Sequence, residues 1–232
     1  MQRSVISVII PAYNEEKTIG SVIEETTAVM DSLQVPYEII IVDDGSTDKT
    51  KQIAMNHKAI VVSNERRRGK GYAVRNGFQH AQGDLVVTID ADGAHRAKEI
   101  PDLLVPLFNG ADIVAGSRFL GSDSDFTSGI HRIGNFIFNT TIKTLTGKQV
   151  TDSQTGFRAI KREVLEKLNL DSTGFEIESE ITVKGLRNSF VFIEKPITCE
   201  RRKYDISRVN ILSDGTRILR AILKSNFSKI EH

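Results

Sequence analysis

Cysteine and tryptophan are all but missing from these 232 residues: Cys199 stands alone and no tryptophan occurs. A lone cysteine excludes an internal disulfide and a metal site built from cysteine ligands, and it suits a reducing, cytoplasmic setting. Long apolar runs are missing too. The run at 5–10 is cut off by Pro11 and the charged stretch behind it, which is too brief for a signal peptide, and nothing approaches the roughly 20 apolar residues of a membrane-crossing helix. Nor does one sign of charge dominate. Lysine and arginine number 31 against 30 acids, a formal net charge of +1 that gives no reason to expect nucleic acid as a partner. Beyond residue 200 the balance tips locally, where Arg201, Arg202, Lys203, Arg208, Arg217, Arg220, Lys224 and Lys229 outnumber the acids. That end suits phosphate or an anionic surface.

What is present is a rhythm. Short β-rich apolar runs at 5–10, 38–42, 59–62, 85–89 and 112–115 alternate with polar stretches of helical length, with no internal repeat and no low-complexity tract. This βαβ pattern predicts an α/β fold with a mostly parallel sheet, and runs such as Ile39-Ile40-Ile41-Val42 fit strands covered on both faces. The length fits one large domain. In open sheets of this kind ligands bind where the strands end. The strand ends here are Pro11-Ala12-Tyr13-Asn14-Glu15, Asp43-Asp44-Gly45-Ser46 and Asp90-Ala91-Asp92-Gly93, three polar clusters on one rim. Ser46 and Asp48 also read as helix-capping residues, whereas Asp43 and Asp44 are not needed for a cap.

Asp90 and Asp92, directly after a buried strand, can hold a hard divalent cation, Mg²⁺ or Mn²⁺, that bridges two phosphates. An Asp-x-Asp triplet alone is common in solvated turns; its place on this rim points to function. Arg66-Arg67-Arg68-Gly69-Lys70-Gly71 is a basic, glycine-flanked turn able to approach a diphosphate, but it is neither a P-loop nor a dinucleotide turn. Lys70 suits that role better than Arg66 or Arg67, which read as a solvated loop. Residues 119–129 read as a mobile loop. Helical rhythms follow at 131–145, 175–186 and 211–227, the last an apolar face with basic flanks that suits either a membrane surface or the protein core. Glu176, Glu178 and Glu180, spaced by two, are expected to splay around their helix and be mostly solvated.

Taken in order, Pro11-Ala12-Tyr13-Asn14-Glu15-Glu16, Val42-Asp43-Asp44-Gly45-Ser46-Thr47-Asp48, Gly69-Lys70-Gly71, Asp90-Ala91-Asp92-Gly93, Gly116-Ser117-Arg118 and Thr155-Gly156-Phe157-Arg158 resemble family 2 glycosyltransferases, most closely the dolichyl- or polyprenyl-phosphate sugar synthases. The resemblance runs from Val5 to about Leu223. It implies a GT-A fold and an inverting transfer from a nucleoside-diphosphate sugar such as GDP-mannose, UDP-glucose or UDP-N-acetylglucosamine. It also implies that Pro11, Ala12, Tyr13, Glu15 and Asp43 hold base and ribose. Asp90, Ala91 and Asp92 would serve ribose, metal and diphosphate, while Arg118 and Arg132 would bind the phosphate of a polyprenyl (dolichyl) acceptor.

On the same pattern residues 1–200 form the catalytic domain, with a nucleotide half to about 117 and an acceptor half from 118. Residues 201–232 add a basic segment and an amphipathic helix. Arg202, with Arg201, Ser207 and Arg208, resembles a basic segment that closes over the donor diphosphate, although Ile206 stands where relatives carry glycine. Ala94 replaces the glutamine that commonly follows the acidic turn, so weaker metal binding is expected. Many relatives continue into membrane helices; a chain ending at His232 is expected to reach its lipid from the cytoplasmic membrane surface. A phosphate acceptor, largely dianionic near neutral pH, needs no strong base. A saccharide hydroxyl acceptor, the rival substrate, would need one. Asp152 is the candidate, and it can equally orient an arginine or cap a turn. A non-catalytic nucleotide-sugar-binding module is the remaining alternative, suggested only by Ala94.

Overall fold

The computed structural model describes residues 4–120, 129–200 and 211–227. Within them seven strands form one sheet in the order β3-β2-β1-β4-β6-β5-β7. The five strands read from the sequence are present as β1 (Ile6–Ala12), β2 (Tyr37–Asp43), β3 (Ile60–Ser63), β4 (Leu85–Thr88) and β5 (Ile113–Ser117). Strands β3, β2, β1 and β4 run parallel, with Ala12 beside Asp43 and Ile9 beside Thr88. Their carboxyl ends therefore share one edge.

Two strands escaped the sequence reading. β6 (Arg158–Lys161) lies antiparallel between β4 and β5, and β7 (Phe192–Pro196) extends the sheet beside β5. β6 reads Arg-Ala-Ile-Lys, with no apolar run to signal a strand, whereas the start of β7 does carry one in Phe190-Val191-Phe192-Ile193. Its direction decides the site. An antiparallel strand begins where its parallel neighbours end, so Arg158 pairs with Thr88 and Ala115, and the chain entering β6, including Asp152 and Gly156, arrives at the carboxyl edge. The Thr88 hydroxyl fastens it there by donating to the Gly156 carbonyl at 2.7 Å.

Alternating side chains clad the two faces of the sheet. Val8, Ile10, Ile39, Ile41 and Val87 pack on one side with α1 (Ile19–Ser32) and α4 (Ile100–Phe108). Ile9, Ile40, Val42 and Val86 pack on the other with α3 (Lys70–His80), α6 (Arg162–Leu168) and α7 (Ile177–Arg187). A third apolar cluster joins Ile142 of α5 (Gly129–Thr146), Val183 of α7, and Ile218 and Ile222 of α8 (Ile211–Phe227). The amphipathic last helix thus lies on the core by one face, while Leu219, Leu223 and Phe227 remain exposed. No helix among the described residues is long and apolar enough to cross a membrane.

Helix α7 corrects the expectation for the three glutamates. They do splay, but only Glu176 is partly exposed; Glu178 and Glu180 are 4% and 1% exposed. The helix is packed between α3, α6, α5 and α8, so little of its circumference meets water. Glu180 is satisfied by the amides of Asp171 and Ser172 and by the Lys184 ammonium. Glu178 belongs to the site.

Candidate active site

A cavity of about 480 Å³ opens at the carboxyl edge, within the range of small-molecule sites. Pro11, Ala12, Tyr13 and Glu15 line it from the end of β1, Asp90, Ala91 and Asp92 from beyond β4, and Lys70 from the start of α3. These residues are brought together as the sequence leads one to expect. Asp43 is not. Its carboxylate accepts the Ser46 amide at 3.2 Å, and its neighbour Asp44 lines the cavity instead. Asp44 in turn accepts the amides of Arg68 and Gly69 at 2.9 and 2.7 Å, which holds the basic turn against the strand ends. Both aspartates therefore satisfy backbone amides. Ser46 accepts the Asn14 amide and Asp48 the Glu16 amide, lacing the ends of β1 and β2 together. Asp48 also accepts the amide of Thr50 at 2.9 Å, the first residue of α2 (Thr50–Met55), as expected of a residue at a helix start, whereas Ser46 does not cap the helix.

Lys70 sits between two carboxylates, Asp90 at 2.7 Å and Glu178 at 3.2 Å. Burial alone would lower its pKa, but the attraction of Asp90 and Glu178 outweighs it and raises the value, so the ammonium stays charged. Glu178 also meets Arg158 at 3.2 Å, a guanidinium with no exposed surface that further donates to the carbonyls of Thr155 and Ser153 and to the Thr182 hydroxyl. One buried network thus runs from Arg158 through Glu178 and Lys70 to Asp90. Gly156 is packed against it: a Cβ there would stand 2.5 Å from Lys70 Nζ and 2.8 Å from an Asp90 oxygen. Gly156→Ala is expected to push that ion pair aside and lower turnover by up to about 10²-fold, the cost of a misplacement near 1 Å, with a smaller loss of stability than removal of Glu178, whose pairing with Arg158 it leaves in place. Steady-state kinetics beside a thermal melt would check it.

Asp92 is buried, and its carboxylate accepts the Ala94 amide at 2.9 Å, closing the turn whose Gly93 has φ +71°. Asp90 and Asp92 offer only oxygen donors, the set that Mg²⁺ and Mn²⁺ prefer. Among the described residues no three His, Cys, Asp or Glu side chains gather as a metal cage. The donor set therefore fits an ion that takes two carboxylates and completes its shell with phosphate oxygens and water. Ala94 contributes only its backbone, and its carbonyl accepts the Glu200 amide.

Behind the turn lies a residue the sequence reading passed over. His95 is 6% exposed and stacked on Phe157, and its Nδ1 has no partner. Burial, against the pull of Asp90 and Asp92, lowers its pKa and keeps it neutral. Nothing in the spacing of the sequence distinguishes it.

Asp152 has no exposed surface, and its carboxylate is occupied. Arg118 donates to it through Nε at 2.6 Å and a terminal nitrogen at 2.8 Å, and the amides of Arg118 and Gln154 donate as well. Of the three readings open for Asp152, this is the arginine-orienting one combined with the turn cap. Glu194 of β7, also missed, supports it by accepting the amides of Thr151 and Asp152. Burial would lower the Arg118 pKa, yet Asp152 raises it. Arg132 is exposed on the first turn of α5. Neither Arg118 nor Arg132 lines the cavity. Arg202, and positions 121–128 of the expected mobile loop, lie outside the described residues.

A parallel sheet with one reversed strand, an acidic carboxyl edge and a basic turn beside it define an α/β domain of the GT-A class. The chain belongs to glycosyl transferase family 2, whose family model matches residues 7–169. An uncharacterized protein of Methanocaldococcus jannaschii is 34% identical over 221 residues, 92% of this chain and 89% of that one. The low-salt glycan biosynthesis hexosyltransferase Agl6 of Haloferax volcanii is 32% identical over 94% of this chain and 53% of its own length. An undecaprenyl-phosphate 4-deoxy-4-formamido-L-arabinose transferase of Serratia proteamaculans is 36% identical over 70% of this chain and 51% of its own length. The chain thus spans about half the length of these two transferases. Among solved structures, Mycobacterium tuberculosis glucosyl-3-phosphoglycerate synthase with Mn²⁺, UDP-glucose and phosphoglyceric acid superimposes with a TM-score of 0.77. It is 25% identical, over 96% of this chain and 80% of that one.

Proposed function

We propose that this glycosyltransferase moves a hexose or N-acetylhexosamine, with inversion, from a nucleoside-diphosphate sugar to a polyprenyl phosphate. The observation that carries the acceptor reading is the occupied carboxylate of Asp152. A hydroxyl acceptor must surrender its proton to a base, and a carboxylate already clamped by a guanidinium is a poor one. A phosphomonoester arrives ionised. It needs cations and alignment instead, and Arg118, with only part of its donor capacity used by Asp152, supplies the first of them. Arg132 is the second candidate cation. The undecaprenyl-phosphate transferase of Serratia is a relative whose acceptor is of this kind.

On the donor side, Tyr13, Pro11, Ala12 and Glu15 would receive base and ribose, and Asp90 and Asp92 would hold Mg²⁺ or Mn²⁺ together with the diphosphate. The ion supplies charge neutralisation for the departing nucleoside diphosphate. Lys70, fixed by Asp90 and Glu178, holds a preorganised positive charge beside the same group. The test is a panel of radiolabelled GDP-mannose, UDP-glucose and UDP-N-acetylglucosamine with a polyprenyl phosphate, scored for lipid-extractable label. One donor is expected to label the lipid; label reaching only water-soluble saccharide would replace this acceptor with a hydroxyl.

A lipid acceptor requires contact with a membrane, for which the exposed Leu219, Leu223 and Phe227 of α8 offer an apolar face. The wild type is expected to float with anionic liposomes and the Leu223→Glu/Phe227→Glu variant to remain in the dense fraction. Both substitutions leave the buried Ile218 and Ile222 in place, so equal flotation would remove α8 from membrane binding.

A further inference from the structure

Helix α8 does more than cover the core. Ile218 and Ile222 bury against Val183 and Ile142, and this seating turns Asp214 and Arg217 to the wall of the cavity that holds Asp90, Asp92 and Lys70. Four cations line that cavity, and three are engaged. Lys70 is paired with Asp90 and Glu178. The Arg67 guanidinium lies over the Tyr13 ring at 4.4 Å and that of Arg68 over Tyr72 at 3.6 Å. Arg217 is exposed, and among the described residues it is the lining cation with neither a carboxylate nor an aromatic face as partner.

We propose that Arg217 is a donor-phosphate residue, a guanidinium delivered by α8 to the diphosphate of the nucleotide sugar. This rests on the reading of the cavity as the donor site. The physical demand is plain. The cavity carries the carboxylates of Glu15, Asp44, Asp90, Asp92 and Asp214, and a diphosphate entering it adds further negative charge. An exposed guanidinium with no partner among the described residues is able to meet phosphate oxygens in a forked geometry without first breaking another contact. Arg220, one turn further along and also exposed, does not line the cavity. A merely solvated arginine would behave as Arg220 does, which makes that residue the internal control.

The experiment is calorimetric titration of UDP and GDP, and of uridine and guanosine, into the wild type, Arg217→Gln, Arg217→Lys and Arg220→Gln in the presence of Mn²⁺. Arg217→Gln is expected to weaken binding of the accepted nucleoside diphosphate about tenfold or more, as for loss of a charged hydrogen bond. It should leave the nucleoside unchanged; Arg217→Lys should recover part of the loss and Arg220→Gln should match the wild type. Diphosphate binding within twofold of wild type for Arg217→Gln would overturn the proposal. So would equal losses for nucleoside and diphosphate, or an equal loss in Arg220→Gln. A wild type that binds neither UDP nor GDP would overturn the donor reading itself.

Discussion

Asp92→Asn is expected to lower glycosyl transfer by roughly 10²–10³-fold, the scale on which preorganised charge stabilisation at a leaving group is lost, while the protein melts as the wild type does. Asparagine has the shape of aspartate and retains an oxygen to accept the Ala94 amide that Asp92 now accepts at 2.9 Å. The turn at Gly93 therefore keeps its form. What disappears is one of the two carboxylate charges of the Asp90-Ala91-Asp92 turn, and with it the affinity for a hard cation, since no group of three acidic or other ligating side chains gathers among the described residues. Two readouts separate the effects: Mn²⁺ titration in the presence of nucleoside diphosphate, and kcat with saturating donor. Binding of Mn²⁺ is expected to collapse together with kcat. Transfer within threefold of wild type would remove Asp92 from the proposed machinery. For the wild type, Ala94 implies weak Mn²⁺ binding that tightens when a nucleoside diphosphate adds its oxygens; tight binding without nucleotide would contradict that shell.

Glu178→Ala is expected to destabilise the fold by about 3–5 kcal/mol, the cost of leaving buried charge uncompensated. Glu178 is 4% exposed and faces two cations, Lys70 at 3.2 Å and Arg158 at 3.2 Å. Arg158 has no exposed surface, and its burial already lowers its pKa against the pull of Glu178. Alanine removes the anion, opens a cavity beside the guanidinium and frees the chain entering β6. Glu178→Gln keeps the volume and one acceptor, so it should cost less than Glu178→Ala. The pH dependence has a definite sign. Lys70 has a pKa raised above the ordinary ammonium value of 10.5, so its pairing stabilises the fold fully below that value and is lost as pH rises through the raised one. Urea unfolding near neutral pH should therefore show the whole difference between wild type and Glu178→Ala. A difference below about 1 kcal/mol, the scale of an exposed ion pair, would mean that the network is solvated.

Glu178 also shows where sequence reading stops. Spacing by two on a helix says that neighbours diverge; it does not say what they diverge into. Glu178 and Glu180 were expected to meet water, and they meet Lys70, Arg158 and Lys184 because α7 is enclosed by other helices. The same limit applies to Asp43 and Asp44. Adjacent carboxylates after a strand look like ligands, yet each accepts backbone amides, from Ser46 and from Arg68 and Gly69.

By itself the sequence determined the parallel part of the sheet and the edge that matters. Short, β-branched apolar runs alternating with polar stretches of helical length read as parallel strands, and parallel strands put their carboxyl ends together, so Tyr13, Asp90 and Asp92 share a rim. The family also followed, because its motifs are local and occur in order. Tertiary structure decided everything that depends on chain direction and burial. β6 is too short and too polar to announce itself, but its reversal carries Asp152, Gly156 and Arg158 to the site. Arg118 finds Asp152 across 34 residues, and α8 reaches the cavity from the far end of the chain. Those contacts arise from packing between distant segments, which no local pattern encodes.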